Sequence, residues 1–458
     1  MNGSAASQAA GQHAKPSEHL VTSLDSAPSL RSRLVRGFGW NLTATAFNQG
    51  STLVVNLILA NLWGLERFGE YAIVQSTLTA FTAVVQPTTG AAAIKYVAEL
   101  RARDADRAGR ILGLCSTVSI VIAVLTSGTL LVGSGQLAAG VLHAPGLTTV
   151  LMISSLVVFS TVISGFFTGV LAGLESYPAL GRTGIFVGTV YVIVCGVGGW
   201  AWGLEGAVIG LAVSALVQCA VLYRLATSEA ARHGIRVKHR EGWRELSVFF
   251  HFVTPAALNS LVAFPAIWLG NAFLVRQPGG YQQMALFAAA NTFRILVMFV
   301  PAILGNVSLS LLNHQLGADD ERRFRRVFWA NLGLSSALVL GMGAAIIVTG
   351  PWLLGRFGTA FRAGSAELPI LMLAAVPEAI AIAILQVLQA RERVWLTFFG
   401  MVLPGYVSLA LLAREWTPLY GARGLAWSYA AAMSLELLAA LWIVGRVGLW
   451  SRRSTALA

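Results

Sequence analysis

The sequence predicts an all-α integral membrane protein of about 12 transmembrane helices, set as two six-helix lobes related by a pseudo-twofold axis along the membrane normal. Three observations predict it: an apolar composition, twelve runs of bilayer-spanning length, and a weak repeat that relates the two halves. Of 458 residues, 56% are apolar and 11% charged, with 47 glycines and a mean hydropathy of +0.70. A soluble chain carries about 25% charged residues. Cys115, Cys195 and Cys219 all fall inside apolar runs and read as small core residues, not as disulfides or metal ligands.

Residues 1–33 are polar, Ser- and Ala-rich and without the apolar core of a signal peptide, so they read as a disordered cytoplasmic tail. Arg31, Arg33 and Arg36 then flank the first apolar run. Twelve runs follow, near 37–62, 71–93, 109–132, 147–172, 180–202, 205–226, 247–274, 284–311, 328–350, 366–390, 394–413 and 423–446. Each is long enough to cross a hydrocarbon core of about 30 Å. The expected organisation is a lobe at 34–226, a basic cytoplasmic linker at 227–245, a second lobe at 246–450 and a short tail at 451–458.

The positive charges test this count. With the N-terminus inside, 25 of the 32 Lys and Arg fall in cytoplasmic segments, 6 in outer loops, and Arg294 alone inside a span. That asymmetry is the positive-inside pattern of a multi-pass membrane protein with both termini cytoplasmic. It explains the net charge of +12 without nucleic acid. The richest stretch, Arg224–Arg244, is expected to be a loop touching anionic lipid headgroups.

The halves resemble each other at a steady spacing. LERFGEYAIVQSTLTAF answers to QPGGYQQMALFAAANTF, GVLAGLESYPAL to QVLQARERVWLT, and GLEGAVIGLAVS to GARGLAWSYAAA. The offsets are 210 for Tyr71/Tyr281, 217 for Glu175/Glu392 and 218 for Gly206/Gly424. Six spans per repeat is an even number, so both repeats keep one orientation, and paired bundles of that kind hold a substrate path between them.

Charge inside the membrane marks the candidate site. Arg294 lies about ten residues into the eighth run, where an arginine costs roughly 2.5–3.5 kcal/mol unless it faces protein or a wet cavity. Asn291 sits at i−3 beside it, and His251, Pro255 and Asn259 share one face of the preceding run. This cationic patch suits an anionic group crossing the bilayer; the other reading is a structural ion pair, for instance with Glu378. His251 adds charge or is a satisfied helix contact. Lys95, Arg182 and Arg276 lie near span ends and read as snorkelling side chains, with Lys95 also placed to meet phosphate at an inner mouth.

Several of these stretches carry a family resemblance. FGEYAIVQS, GAAAIKYVAELRARD, GVLAGLESYPALGRTGI and WGLEGAVIGLAVSALVQ resemble membrane proteins for O-antigen and exopolysaccharide export. Those belong to the multidrug/oligosaccharidyl-lipid/polysaccharide exporter superfamily, and the likeness covers about residues 34–446. It implies two six-helix lobes that move an undecaprenyl-diphosphate-linked oligosaccharide from the cytoplasmic to the periplasmic leaflet. It implies a polyprenyl-diphosphate-linked glycan as partner and allows contacts with polysaccharide assembly proteins.

The residues suit that implication. Asn41, Thr45, Asn48, Thr52 and Asn56 form one stripe on the first span, and Gln75, Thr79, Thr82 and Gln86 another on the second. Facing stripes either line a groove for sugar hydroxyls or tie helices together. Arg294, His251, Asn291, Asn259, Asn48 and Gln86 are therefore the substrate-binding candidates, an arginine fork suiting a diphosphate. Glu378, beside Pro377, and Glu436 are candidates for proton coupling, or neutralise Arg294.

No catalytic residue is expected, no Gly-rich phosphate loop encodes ATP hydrolysis, and no cofactor or metal is implied. The first span lacks the acidic residue that many multidrug and toxin extrusion proteins carry there, which disfavours a small-molecule cation antiporter as the alternative. Outer loops of at most about 20 residues disfavour a membrane glycan enzyme.

Overall fold

The computed structural model describes residues 30–83, 86–101, 103–317, 321–391 and 393–447, with the side chains of 30–38, 41–42, 86–87, 244, 246–256, 306–307, 309–317 and 447 outside that description. The tails expected at 1–33 and 451–458 thus lie almost wholly beyond the described residues. Among the described residues every regular element is helical.

Among the described residues eight helices are long and apolar enough to cross a membrane, and two of them are long enough to do so twice. Tyr177–Arg232 reverses at Trp202 and Gly203 to give the fifth and sixth spans, and Val394–Arg446 reverses at Gly421 to give the eleventh and twelfth. The single crossings are Ala105–Val141, Pro145–Gly173, Leu246–Val275, Gly280–Gly317, Glu321–Gly355 and Thr359–Ala390. Leu30–Thr82, diluted by its polar stripes, folds back at Gly64 and supplies the first two spans. The second continues through a π-helical turn, Gln86–Gly90, into Ala91–Leu100. The twelve crossings expected from the sequence are all present.

The repeat is visible in the turns themselves. Gly203 (φ 62°, ψ −142°) and Gly421 (φ 59°, ψ −133°) are 218 residues apart and make the same reversal. That backbone region is open essentially to glycine alone. A Cβ on Gly206 would lie 2.1 Å from the carbonyl oxygen of Gly198, and one on Gly424 2.1 Å from that of Trp416, again 218 apart. Each lobe therefore crosses its last two spans over a glycine contact.

One expectation needs correction. The basic stretch Arg224–Arg244 is not all loop, because its alanines and a Glu229–Arg232 pair at 2.8 Å carry the sixth helix on to Arg232. The remainder is pinned to the first lobe. Lys238 pairs with Asp106 at 2.9 Å, Arg107 with Glu245 at 3.2 Å, and Gly109 leaves room for the carbonyl of Arg236.

Apolar burial shows how the lobes meet. One core cluster runs through both lobes and includes Val55, Tyr71, Leu142, Leu204, Ala272, Phe293, Phe357 and Leu425. Near the end that bears both described termini, this core splits. A first-lobe cluster holds Tyr96, Leu112, Leu171 and Ile235, and a separate second-lobe cluster holds Phe324, Ile384, Val387 and Ile443. The lobes thus share a core at one end and keep their own at the other. The far end is also stitched by Trp268 Nε1 to Thr77 Oγ1 (2.9 Å), Asn271 Nδ2 to Ser76 Oγ (2.8 Å), Asn61 Nδ2 to the Arg356 carbonyl (2.6 Å) and Tyr281 OH to the Leu142 carbonyl (2.8 Å). Nearer the terminus-bearing end, the turn Gln86–Gly90 also lies against the seventh span. Outward-facing Val132, Val348 and Leu438 are bare, as lipid contacts require, and Trp200, Trp202, Trp352 and Trp442 stand exposed near helix ends.

At the terminus-bearing end an ion pair of reversed sense recurs in the two lobes. Arg101 pairs with Glu175 in the first lobe, and Arg391 with Glu321 at 2.9 Å in the second. Arg391 is more deeply placed, its side chain 7% exposed against 18% for Arg101, and lies over the Phe324 ring. Arg391→Ala is expected to destabilise by about 2 kcal/mol, and Arg101→Ala by less than about 1 kcal/mol. Thermal unfolding of the two purified variants would check the order.

Candidate functional site

The eighth span places Arg294 near its middle and buries it. Helical spacing brings Asn291 alongside, and its Oδ1 accepts from Arg294 Nε at 2.8 Å. Across the lobe interior the tenth span presents Glu378, whose Oε2 accepts from Arg294 Nη1. The twelfth span lays the Tyr429 ring against the guanidinium, 4.6 Å from its centroid. A charged fork inside a bilayer is tolerable here because one carboxylate, one amide and one aromatic face replace its water.

Glu436 lies one turn-pair beyond Tyr429 on the same helix and is buried. It passes Gly405, where a Cβ would come within 3.2 Å of its own, and sits in electrostatic reach of Glu378 and of Tyr406. Five ionisable groups on the eighth, tenth, eleventh and twelfth spans thus converge inside the second lobe.

Nothing matches this cluster in the other repeat. The established offsets put Val84, Thr161, Leu211 and Gln218 at the positions of Arg294, Glu378, Tyr429 and Glu436. The first lobe has instead a neutral cluster, with Tyr71 OH 3.2 Å from Tyr191 OH and Gln75 Nε2 donating to Tyr71 OH at 2.6 Å. The charges are therefore a property of one lobe and not a requirement of the fold.

The other candidates are placed as follows. Asn259 is half-buried on the seventh span, and its Oδ1 has no hydrogen-bond partner among the described residues. Asn48 is exposed on the first span. The side chains of His251 and Gln86 lie outside the described residues. In the polar stripes, Thr52, Thr79 and Thr82 donate to carbonyls of their own helix, and Gln75 is taken by Tyr71. Among the described side chains of the first stripe, Asn48 and Asn56 carry the amides. Arg276, expected to snorkel, instead donates from Nε to the Val141 carbonyl at 2.6 Å, because the far end of the bundle brings that loop to it.

Sequence reasoning missed Tyr429 and Tyr406. Tyr429 had a signal, since it stands seven residues before Glu436 and so shares its helix face. Tyr406 had none.

The family described as polysaccharide biosynthesis proteins matches residues 34–309. The chain belongs to that family. Over 422 residues it is 24% identical to the EPS I polysaccharide export inner membrane protein EpsE of Ralstonia nicotianae, covering 90% of this chain and 93% of that one. A 191-residue match to EpsE of Ralstonia solanacearum is 27% identical and covers 41% and 42% of the two chains. Among solved structures, an inward-facing multidrug resistance MATE family transporter of the MOP superfamily superposes with a TM-score of 0.72 at 15% identity, covering 91% of this chain and 99% of that one. A MOP superfamily transporter from Pyrococcus furiosus gives 0.69 at 16% identity, with 91% and 95% covered. These structural likenesses establish the twelve-helix, two-lobe fold of this family member.

Proposed function

We propose that this protein exports a polyprenyl-diphosphate-linked oligosaccharide across the bacterial inner membrane, and acts as a transporter with no chemistry of its own. The observation that carries the reading is the buried Arg294 cluster, confined to one lobe of a polysaccharide biosynthesis family member. Likeness to EpsE supports the inner membrane and the glycan cargo. The lysine and arginine distribution supports cytoplasmic termini, which makes the stitched end of the bundle periplasmic and the split end cytoplasmic.

The mechanism is alternating access. The diphosphate enters from the split end, the polyprenyl tail stays in lipid, and the lobes rock about their shared core. Arg294 presents five N–H donors, of which Asn291 and Glu378 each take one. An arriving diphosphate competes with Glu378 for the fork, which makes Glu378 a coupling residue of the proposed cycle. Glu436, close behind Glu378, is the second coupling residue. The amides of Asn48, Asn259 and Gln86 serve the sugars, and His251 adds charge at the inner approach.

The test is leaflet assignment of glycan lipids in a deletion strain. Cytoplasmic accumulation of a diphospho-polyprenyl glycan with loss of surface polymer is expected. An unchanged glycan-lipid pool with an unchanged surface polymer would overturn the reading.

A further inference from the structure

At the stitched end of the second lobe lies a cavity of about 550 Å³, far from Arg294 in the fold and bounded by the turns between spans seven and eight and between eleven and twelve. Its polar lining is Gln277, Gln283, Glu367, Thr417, Tyr420 and Arg423. Two of these side chains are buried with a polar atom that has no hydrogen-bond partner among the described residues. Glu367 is 5% exposed and its Oε2 has no hydrogen-bond partner; Thr417 is 0% exposed and its Oγ1 has none. Thr292 and Thr349, by contrast, donate to the carbonyl four residues back. Leaving a buried polar group unmade costs about 1–3 kcal/mol, so two in one wall indicate a missing partner.

The fold does not demand this polarity. The repeat offsets place Ile73, Val150 and Gly199 where the second lobe has Gln283, Glu367 and Thr417. In the first lobe Trp63 closes over Gly199, donating Nε1–H to its carbonyl at 3.0 Å. In the second lobe the scaffold is held open. Gln283 Oε1 caps the Ala422 amide at 2.9 Å, and Gly421 has no Cβ to collide with that oxygen.

From this we infer that the cavity is a second carbohydrate site, which takes one neutral sugar residue of the cargo at the periplasmic mouth. The inference rests on the glycan-export reading. A carboxylate oxygen needs a donor and a threonine hydroxyl takes either role, and sugar hydroxyls supply both. The exposed ring of Tyr420 lines the cavity and is apolar surface for the sugar's C–H side. Arg423, its side chain 63% exposed and its Nε 3.7 Å from Glu367 Oε1, is the solvent-facing part of the wall.

The test uses the full-length protein in lipid nanodiscs, with glucose, galactose and N-acetylglucosamine as probes in saturation-transfer NMR. Transfer to at least one sugar is expected, weakened about tenfold in Glu367→Gln and in Thr417→Val, two near-isosteric changes that keep the helices intact. Absence of transfer to every probe, or transfer unaltered in both variants, would overturn the site. Stabilisation of the wild type by sodium and by no sugar would assign the cavity to a cation and overturn it equally. Surface polymer in the deletion strain is read separately, so failure of the export reading is distinguishable from failure of this site.

Discussion

Arg294→Ala is expected to abolish export, and the double change Arg294→Ala/Glu378→Ala to restore stability without restoring export. The single change leaves Glu378 facing the lobe interior without its cation, and removing one partner of a buried pair costs about 3–5 kcal/mol. Loss of export by Arg294→Ala alone would therefore not separate folding from transport. The double variant does, because it removes the unpaired carboxylate while the tyrosines and the helix contacts stay. If Arg294 only braces the eighth span against the tenth, the double variant exports normally. If the pair serves transport, the double variant inserts with part of the lost stability regained and surface polymer still missing, and Arg294→Lys, which keeps Glu378, then assigns the loss to the arginine fork. Arg294→Lys is expected to keep part of the activity, since a single ammonium replaces charge but not the two-pronged geometry. Quantifying surface polymer beside thermal unfolding reads both effects from one set of strains.

Gly69→Ala is the second change with a large expected effect. A Cβ at Gly69 would lie 1.8 Å from the Tyr281 carbonyl oxygen, on the facing lobe. The obstacle is backbone, and it is held, since Tyr281 OH is bonded to the Leu142 carbonyl at 2.8 Å. The lobes must separate at the stitched end by more than an ångström to admit one methyl. Overpacking of that kind costs about 1–3 kcal/mol, enough to shift a two-state equilibrium at least several-fold toward the form open at that end. Alanine suits the helix itself, so insertion is unharmed. Cysteines at Ser76 and Asn271, whose side chains meet at 2.8 Å, would report the state. Their crosslinking yield should fall in the Gly69→Ala background, together with export. Unchanged crosslinking and unchanged export would show that the lobes do not need this contact.

The fold was legible because a bilayer makes composition decisive. Each crossing must satisfy its own backbone and show apolar side chains to lipid, so helix number, direction and repeat can be counted along the chain. The reversal at Gly203 and its partner Gly421 could be read from GLEG and GARG for the same reason. Asn291 beside Arg294 was legible from helical spacing, while Glu378 was one of two acids the sequence offered as its counter-charge and only the structure singled it out.

Tertiary structure alone decided the rest. That Tyr429 and Tyr406 join Glu378 around one guanidinium depends on how four helices rotate about their axes. Pairwise packing sets those rotations, and no period in the sequence records them. The same holds for Gly69 against Tyr281 and for the two unsatisfied oxygens of Glu367 and Thr417. By itself the sequence determined a twelve-span, two-lobe membrane protein with an arginine that membrane solvation singles out. Which end the lobes share, which groups answer that arginine, and where a second polar cavity opens are set by contacts between residues hundreds of positions apart.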